Sequence, residues 1–317
     1  MSRLYALLIL PLLLLLNACG PTTKGPPTVA VSVAPQAWLV ERLAGDAVRV
    51  LTAVPPGASP HSSQPSDAEI AALKQADLYI RTGVPMENGP WFAAITRHMP
   101  VADARQGLEL LPMTAHAHHD EHGADAHEHH EHDHHDHGHH DHHDHGHHEA
   151  DPLAGTDPHC WLSPELLREQ ARTVAEALIS TYPAMSEDIK LRLETVQNDL
   201  TALDSDLAAL LEPYAGRRFY VYHPAWGYFA HRYQLQQVPV EVAGQEPSDS
   251  ELADLRQRAE ADAISTLFVQ SQIHGRSAER IAEAVGAELV SIDPLATPVP
   301  ANLRQVAAAL IDSWQTP

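Results

Sequence analysis

From Ser186 to about Glu212 the sequence keeps a helical pattern without a break. Leu193, Val196, Leu200, Leu203, Leu207 and Leu210 follow one another at alternating steps of three and four. On an α-helix such positions form one apolar stripe, on a helix of about 27 residues and roughly 40 Å. Pro183 separates this helix from an earlier one. The earlier helix opens at Ser163-Pro164-Glu165 with an N-cap serine, an N1 proline and an acidic first turn, and runs to about Thr181. A single stripe suits a helix in a bundle, and it equally suits a rigid strut between two bodies.

The flanks on either side of the long helix share one rhythm. Before it, Val29–Val33, Val48–Val54 and Asp77–Arg81 read as strands. They alternate with helical stretches at Gln36–Leu43 and Ser66–Gln75, the second opened by a Ser66/Glu69 capping box. After it, strands are expected at Phe219–Tyr222, Val238–Val242, Ile264–Val269 and Glu288–Ile292, and helices from Ser248-x-x-Glu251 to about Ala261, Ser277–Gly286 and Ala301–Trp314. Alternation of this kind builds parallel sheets. The expected fold is therefore α/β, with two (β/α) lobes at 28–183 and 214–317 joined by a long rigid helix at 184–213. A chain of 317 residues, 44% of them apolar, has enough material for two cores.

One stretch breaks the rhythm. Residues 116–148 hold 18 His and nine carboxylates with no apolar face, so they cannot pack a core and read as a disordered insert in the first lobe. Its imidazoles are His116, His118, His119, His122, His127, His129, His130, His132, His134, His135, His137, His139, His140, His142, His143, His145, His147 and His148. Together they make many weak, exchangeable metal donors, suited to collecting, buffering or sensing a cation; a merely solubilising loop has the same composition. The formal charge of −22 repels nucleic acid and attracts cations.

At the N-terminus, Arg3 precedes an apolar run from Leu4 to Leu16 that is too short for a comfortable membrane span and matches an export signal. Leu16-Asn17-Ala18-Cys19 resembles a bacterial lipoprotein cleavage box, which would make 1–19 the signal and Cys19 the acylated anchor. The alternative is an ordinary signal peptide that contains a cysteine. Either places the mature protein outside the cytoplasm, as a periplasmic or cell-surface protein. Residues 20–27 read as a flexible tether.

Outside the insert six His remain: His61, His98, His159, His223, His231 and His274. His61, His159 and His223 fall at strand-to-helix transitions, and Asp293 ends a strand before Pro294. Open α/β sheets place their ligand sites at such points. Three imidazoles and a carboxylate can meet on one cation there, although any one of them alone is more ordinarily a cap or a surface group. His98, His231 and His274 are left to that ordinary role, with His274 near enough to the strand end at Gln270 to support a site. Cys160, next to His159, reads as a small buried hydrophobe.

At these residues the chain resembles the zinc-uptake (ZnuA-type) solute-binding proteins of bacterial metal ABC importers. The resemblance is carried by His61-x-x-x-Pro65-Ser66-Asp67, Asp157-Pro158-His159-x-Trp161-Leu162-Ser163-Pro164, His223-Pro224-Ala225-Trp226-x-Tyr228-Phe229, Glu246-Pro247-Ser248 and Gly286-Ala287 through Asp293-Pro294-Leu295. It covers about 28 to 317. It implies two lobes with a metal site in the cleft between them, His61 and His159 coming from the first lobe and His223 and Asp293 from the second. It also implies an ABC-type metal permease in the inner membrane as partner, with other periplasmic zinc carriers as further candidates. One departure is Gln270, where the family often has an acid; manganese-binding relatives usually carry Glu at the position of His223. An imidazole-rich set favours Zn(II) over Mn(II), while Cu and Fe stay open.

Two other functions are weighed against delivery of zinc. A zinc hydrolase would need an open metal position beside a general base, and the sequence has no His-Glu-x-x-His helix or Gly-x-Ser-x-Gly elbow. A storage or adhesin lipoprotein would bind many ions weakly and none tightly. The expectation is a binding protein, not an enzyme.

Overall fold

The computed structural model describes residues 25–113, 153, 155–241, 245–272 and 276–315. The expected signal, the anchor at Cys19, most of the tether, the His-rich insert and His274 all lie outside the described residues.

The first sheet contains β1 (Thr28–Val31), β2 (Arg49–Thr52), β3 (Leu78–Arg81) and β4 (Val101–Asp103) in the order β2-β1-β3-β4, every pair parallel. Its crossovers carry α1 (Ala34–Ala44), α2 (Asp67–Leu73) and α3 (Pro90–Thr96). The second sheet contains β5 (Arg218–Val221), β6 (Gln236–Pro239), β7 (Thr266–Val269) and β8 (Glu288–Ser291) in the order β6-β5-β7-β8, again all parallel. Here the crossovers are α6 (Gly227–Arg232), α7 (Asp249–Ala261) and α8 (Arg276–Val285). The two sheets thus share one strand order. Between them run α4 (Pro164–Thr181) and α5 (Ser186–Leu211), and α9 (Val299–Gln315) ends the described chain.

Local chemistry sets the boundaries. Ser66 and Ser248 each accept the amide of the residue three on, while that residue's glutamate returns a bond to the serine amide. Both capping boxes expected from the sequence are therefore closed. Ser163 caps α4 with Pro164 in its first turn. β1 is buried along its whole length, as a strand between two neighbours covered by helices must be.

Helix α5 packs against α1, α4 and α9 and joins residues of both halves in one apolar core. A second, smaller cluster around Leu255, Leu267 and Ile281 fills the outer side of the second sheet. Charged clamps line α5: Arg42 to Asp199, Arg232 to Asp204, and Arg304 to Asp206.

Three expectations shift. The buried stripe of α5 is Ile189, Val196, Leu200, Leu203, Leu207 and Leu211, whereas Leu210 is 46% exposed and Leu193 only partly covered. Alternating steps of three and four average 3.5 residues, so on a 3.6-residue helix they drift around the axis and the burial passes to the next position. The strand expected at 238–242 forms at Gln236–Pro239 instead, ending in a proline that an edge strand tolerates. The short elements α3 and β4 add to the expected set, being seven and three residues long and thus too brief to show a period, and the helix expected to start at Pro224 begins at Gly227.

Because Leu203 is fully buried on α5 and Leu210 is not, Leu203→Ala should cost about 2–5 kcal/mol and Leu210→Ala less than about 0.5. Urea unfolding of both variants without metal checks the difference; equal losses would show that this face of α5 is not the core.

Candidate metal centre

His61 sits in the loop between β2 and α2. That loop is stiffened by prolines and held from outside: the Met86 amide donates to the Pro60 carbonyl at 3.2 Å, and the His61 amide donates to Ser59 Oγ at 3.2 Å. His159 opens the short turn leading into α4. It is almost fully buried, and Asp157 Oδ1 accepts both its backbone amide at 2.9 Å and its ring Nδ1 at 2.7 Å. His223 follows β5, and its Nδ1 meets Oε1 of Glu241, a buried carboxylate just past the end of β6.

These bonds decide which nitrogen each ring offers. With Nδ1–H given to a carboxylate, His159 and His223 present Nε2 as the lone-pair atom, the tautomer being assigned from the hydrogen-bond network. Nε2 of His61 and of His223 are buried and have no hydrogen-bond partner. Buried polar atoms are rarely left this way, so their lone pairs are available to a ligand.

The three rings converge from three separate stretches of chain. His61 lies 4.4 Å from His223 and 5.5 Å from His159 between ring centroids, and His159 lies 5.4 Å from His223. One ligand atom from each falls within 4.8 Å of the other two. Three nitrogens bound to a single tetrahedral Zn(II) at about 2.0–2.1 Å would be about 3.3 Å apart, so small ring movements suffice. Burial pushes the His61 imidazole down to about 2, helped by the neighbouring His159 and His223. Burial thus favours the neutral ring, the form that can ligate a metal.

Asp293 does not share that span. Its Oδ1 accepts Gln272 Nε2 at 2.7 Å and the Leu295 amide at 2.8 Å, and its Oδ2 accepts Ser271 Oγ at 2.8 Å. His98 and His231 are exposed. Cys160 is fully buried, its Sγ 2.7 Å from Gln170 Nε2 and 3.4 Å from the Pro158 carbonyl, and burial pushes its thiol pKa well above the usual range.

Three bonds tie the lobes together beside the rings. Trp161 Nε1 donates to the Pro294 carbonyl at 2.8 Å, next to Asp293. Tyr228 Oη donates to the Asp157 carbonyl at 2.9 Å and accepts the Leu111 amide at 3.0 Å. Sequence reasoning gave no role to Glu241 or Tyr228. Glu241 had a usable signal, since it is an acid at the carboxyl end of a strand beside the one that ends at His223.

The family described as "zinc-uptake complex component A periplasmic", ZnuA, matches the chain over residues 29–310. The chain belongs to the ZnuA family. A crystal structure of ZnuA superposes with a TM-score of 0.75 at 32% identity, covering 90% of this chain and 98% of that one. A ZnuA deletion mutant with zinc bound superposes with a TM-score of 0.73, also at 32% identity, covering 90% and 97%. The zinc-binding protein AdcA of Streptococcus pyogenes serotype M3 is 24% identical over 243 residues, which are 75% of this chain and 44% of AdcA. The chain thus spans less than half the length of that relative.

Two predictions concern the carboxylates and the buried ring of this ZnuA-family site. Asp157→Asn and Glu241→Gln should each weaken metal affinity about 10–100-fold, because an amide holds the ring less firmly and makes it a poorer donor. Competition titration against a chelator reads the change, and unchanged affinity in both would show that the carboxylates do not support the rings. The second follows from His61. Below about pH 6.5 the unfolded chain takes a proton on this ring that the folded chain refuses, so metal-free stability falls as pH drops from 6.5 towards 2. In His61→Gln that part of the slope should vanish from the melting temperature measured against pH; an unchanged slope would refute it.

Proposed function

We propose that this chain is the extracytoplasmic binding component of a metal ABC importer, capturing Zn(II) in the cleft between its lobes and delivering it to a membrane permease. The supporting observation is the convergence of three imidazoles, two of them with Nδ1 fixed by a buried carboxylate and two with an unpartnered buried Nε2. The zinc-bound ZnuA structure and the zinc-binding name of AdcA point to the same cation. Neutral nitrogen donors suit Zn(II) and leave Mn(II), which prefers oxygen, less well served.

On this reading His61, His159 and His223 are the zinc ligands, and Asp293 supplies a fourth bond once its carboxylate turns from the donors that hold it. The residues bind and release; they do not activate a water for hydrolysis. A partner that parts the lobes would remove His223 from the other two ligands and so release the cation. The 18 imidazoles of 116–148 would collect zinc and pass it on, and acylated Cys19 would keep the carrier at the membrane. Among the described residues no helix is long and apolar enough to cross a membrane.

Metal titration of the full chain tests the reading. One tight Zn(II) should bind, with Mn(II) far weaker. His61→Ala, His159→Ala and His223→Ala should each weaken that site by orders of magnitude, while deletion of 116–148 removes only the weaker ions. Unchanged affinity in two of the three His variants would overturn the ligand set, and loss of the tight ion on deletion of 116–148 would move the primary site into the insert.

A further inference from the structure

The carboxylate of Asp293 is held by donors of two kinds. Oδ1 has two, the Leu295 amide from its own loop and the side-chain amide of Gln272. Oδ2 has one, the hydroxyl of Ser271. The loop carrying Asp293 is itself fixed, since Asn302 Nδ2 donates to the Asp293 carbonyl at 2.7 Å and Trp161 binds the next carbonyl. Movement of this group is therefore rotation of the side chain more than travel of the backbone.

Open space borders that side chain. Asp293 and Gln272 line a cavity of about 310 Å³ between the lobes, whose opposite wall is Pro55, Pro56 and Gly57, the start of the loop that carries His61. Of the two oxygens, Oδ1 loses two bonds if it turns to a cation and Oδ2 loses one. Oδ2 is thus the oxygen that a fourth bond would use, with the Ser271 hydroxyl as the donor that shares its electron density.

We propose that Ser271 and Gln272 act on Asp293 in opposite directions. Gln272 anchors Oδ1 and aims the carboxylate in both arrangements. Ser271 competes with the cation for Oδ2, so that the fourth bond forms weakly and opens fast. The pair would then set how long a divalent cation stays on the three imidazoles. This rests on the reading of His61, His159 and His223 as the zinc site. Hydrogen bonds to a charged group are stronger than neutral ones, so removing the serine hydroxyl should favour the cation measurably.

The test uses the full chain with Zn(II), its affinity measured by chelator competition and its release by stopped-flow mixing with a fluorescent chelator. Co(II) absorption serves as a separate report on the donor set. Ser271→Ala should slow release about tenfold and tighten affinity by a similar factor, whereas Gln272→Ala should weaken affinity by about tenfold. In an Asp293→Ala background, Ser271→Ala should change neither zinc release nor the Co(II) spectrum, and Asp293→Asn provides the same background should the alanine variant fail to fold. Equal directions for Ser271→Ala and Gln272→Ala, no effect of Ser271→Ala, or an effect that persists without Asp293 would each overturn the proposal. Should the His→Ala variants instead keep tight zinc, the three-imidazole reading itself would fall, a result these outcomes do not mimic.

Discussion

The buried face of α5 holds the two sheets in a fixed relation, and the geometry of the site depends on it. Val196, Leu200, Leu203 and Leu207 lie in the core that also contains Val29 and Ile80 of the first sheet and Phe219 and Phe268 of the second. A parallel sheet brings its functional loops to the carboxyl ends of its strands. Two such sheets with the same strand order, joined by one stiff helix, turn two sets of strand-end loops towards a shared cleft. His61 from β2, His159 after β4 and His223 from β5 can come within 4.4–5.5 Å of one another only if that relation holds. Each packed leucine on α5 therefore serves the site as well as stability.

Within that frame the site works by withholding charge. Burial pushes the pKa of His61 far below that of a free ring. The carboxylates are placed behind the rings, on the Nδ1 side, where Asp157 and Glu241 orient them. A cation entering the trio meets lone pairs that are already desolvated and aimed, so little reorganisation opposes binding. The carboxylates behind His159 and His223 fix the orientation of those two rings and leave Nε2 facing the trio.

Much of this was legible in the sequence because it rests on local rules. The serine caps at Ser66, Ser163 and Ser248, the alternation of strands and helices, and the three histidines at strand ends are all written in short stretches of chain. What was not legible depends on distant partners. Glu241 is 18 residues from His223 and Tyr228 is 71 from Asp157, and no spacing rule links them. The end of the α5 stripe was misplaced for a different reason: the choice between Leu210 and Leu211 turns on cumulative helix rotation, which a three-and-four pattern rounds away. The position of Asp293 at a strand end was readable, but its hydrogen bonds to Ser271 and Gln272 depend on how the loops after β7 and β8 meet.

Strength and reversibility pull the design of a carrier in opposite directions, and the structure divides them between the lobes. The first lobe supplies His61 and His159 on elements pinned by prolines, by Asp157 and by the turn at Met86, so both backbones and the His159 ring are held before any cation arrives. The second lobe supplies His223, backed by Glu241, and an aspartate whose oxygens are already engaged. A cation seated on the first lobe alone would have two bonds and leave quickly. On the proposed reading His223 of the second lobe adds the third, so affinity depends on a distance that the core along α5 sets and a few direct bonds beside the site adjust. Trp161 to Pro294 and Tyr228 to Asp157 each contribute about the 1 kcal/mol of an ordinary hydrogen bond. Bonds of that size are small beside what docking against another protein can supply. On the proposed reading, a carrier built this way holds its ion tightly between encounters and is still opened by the surface that receives it.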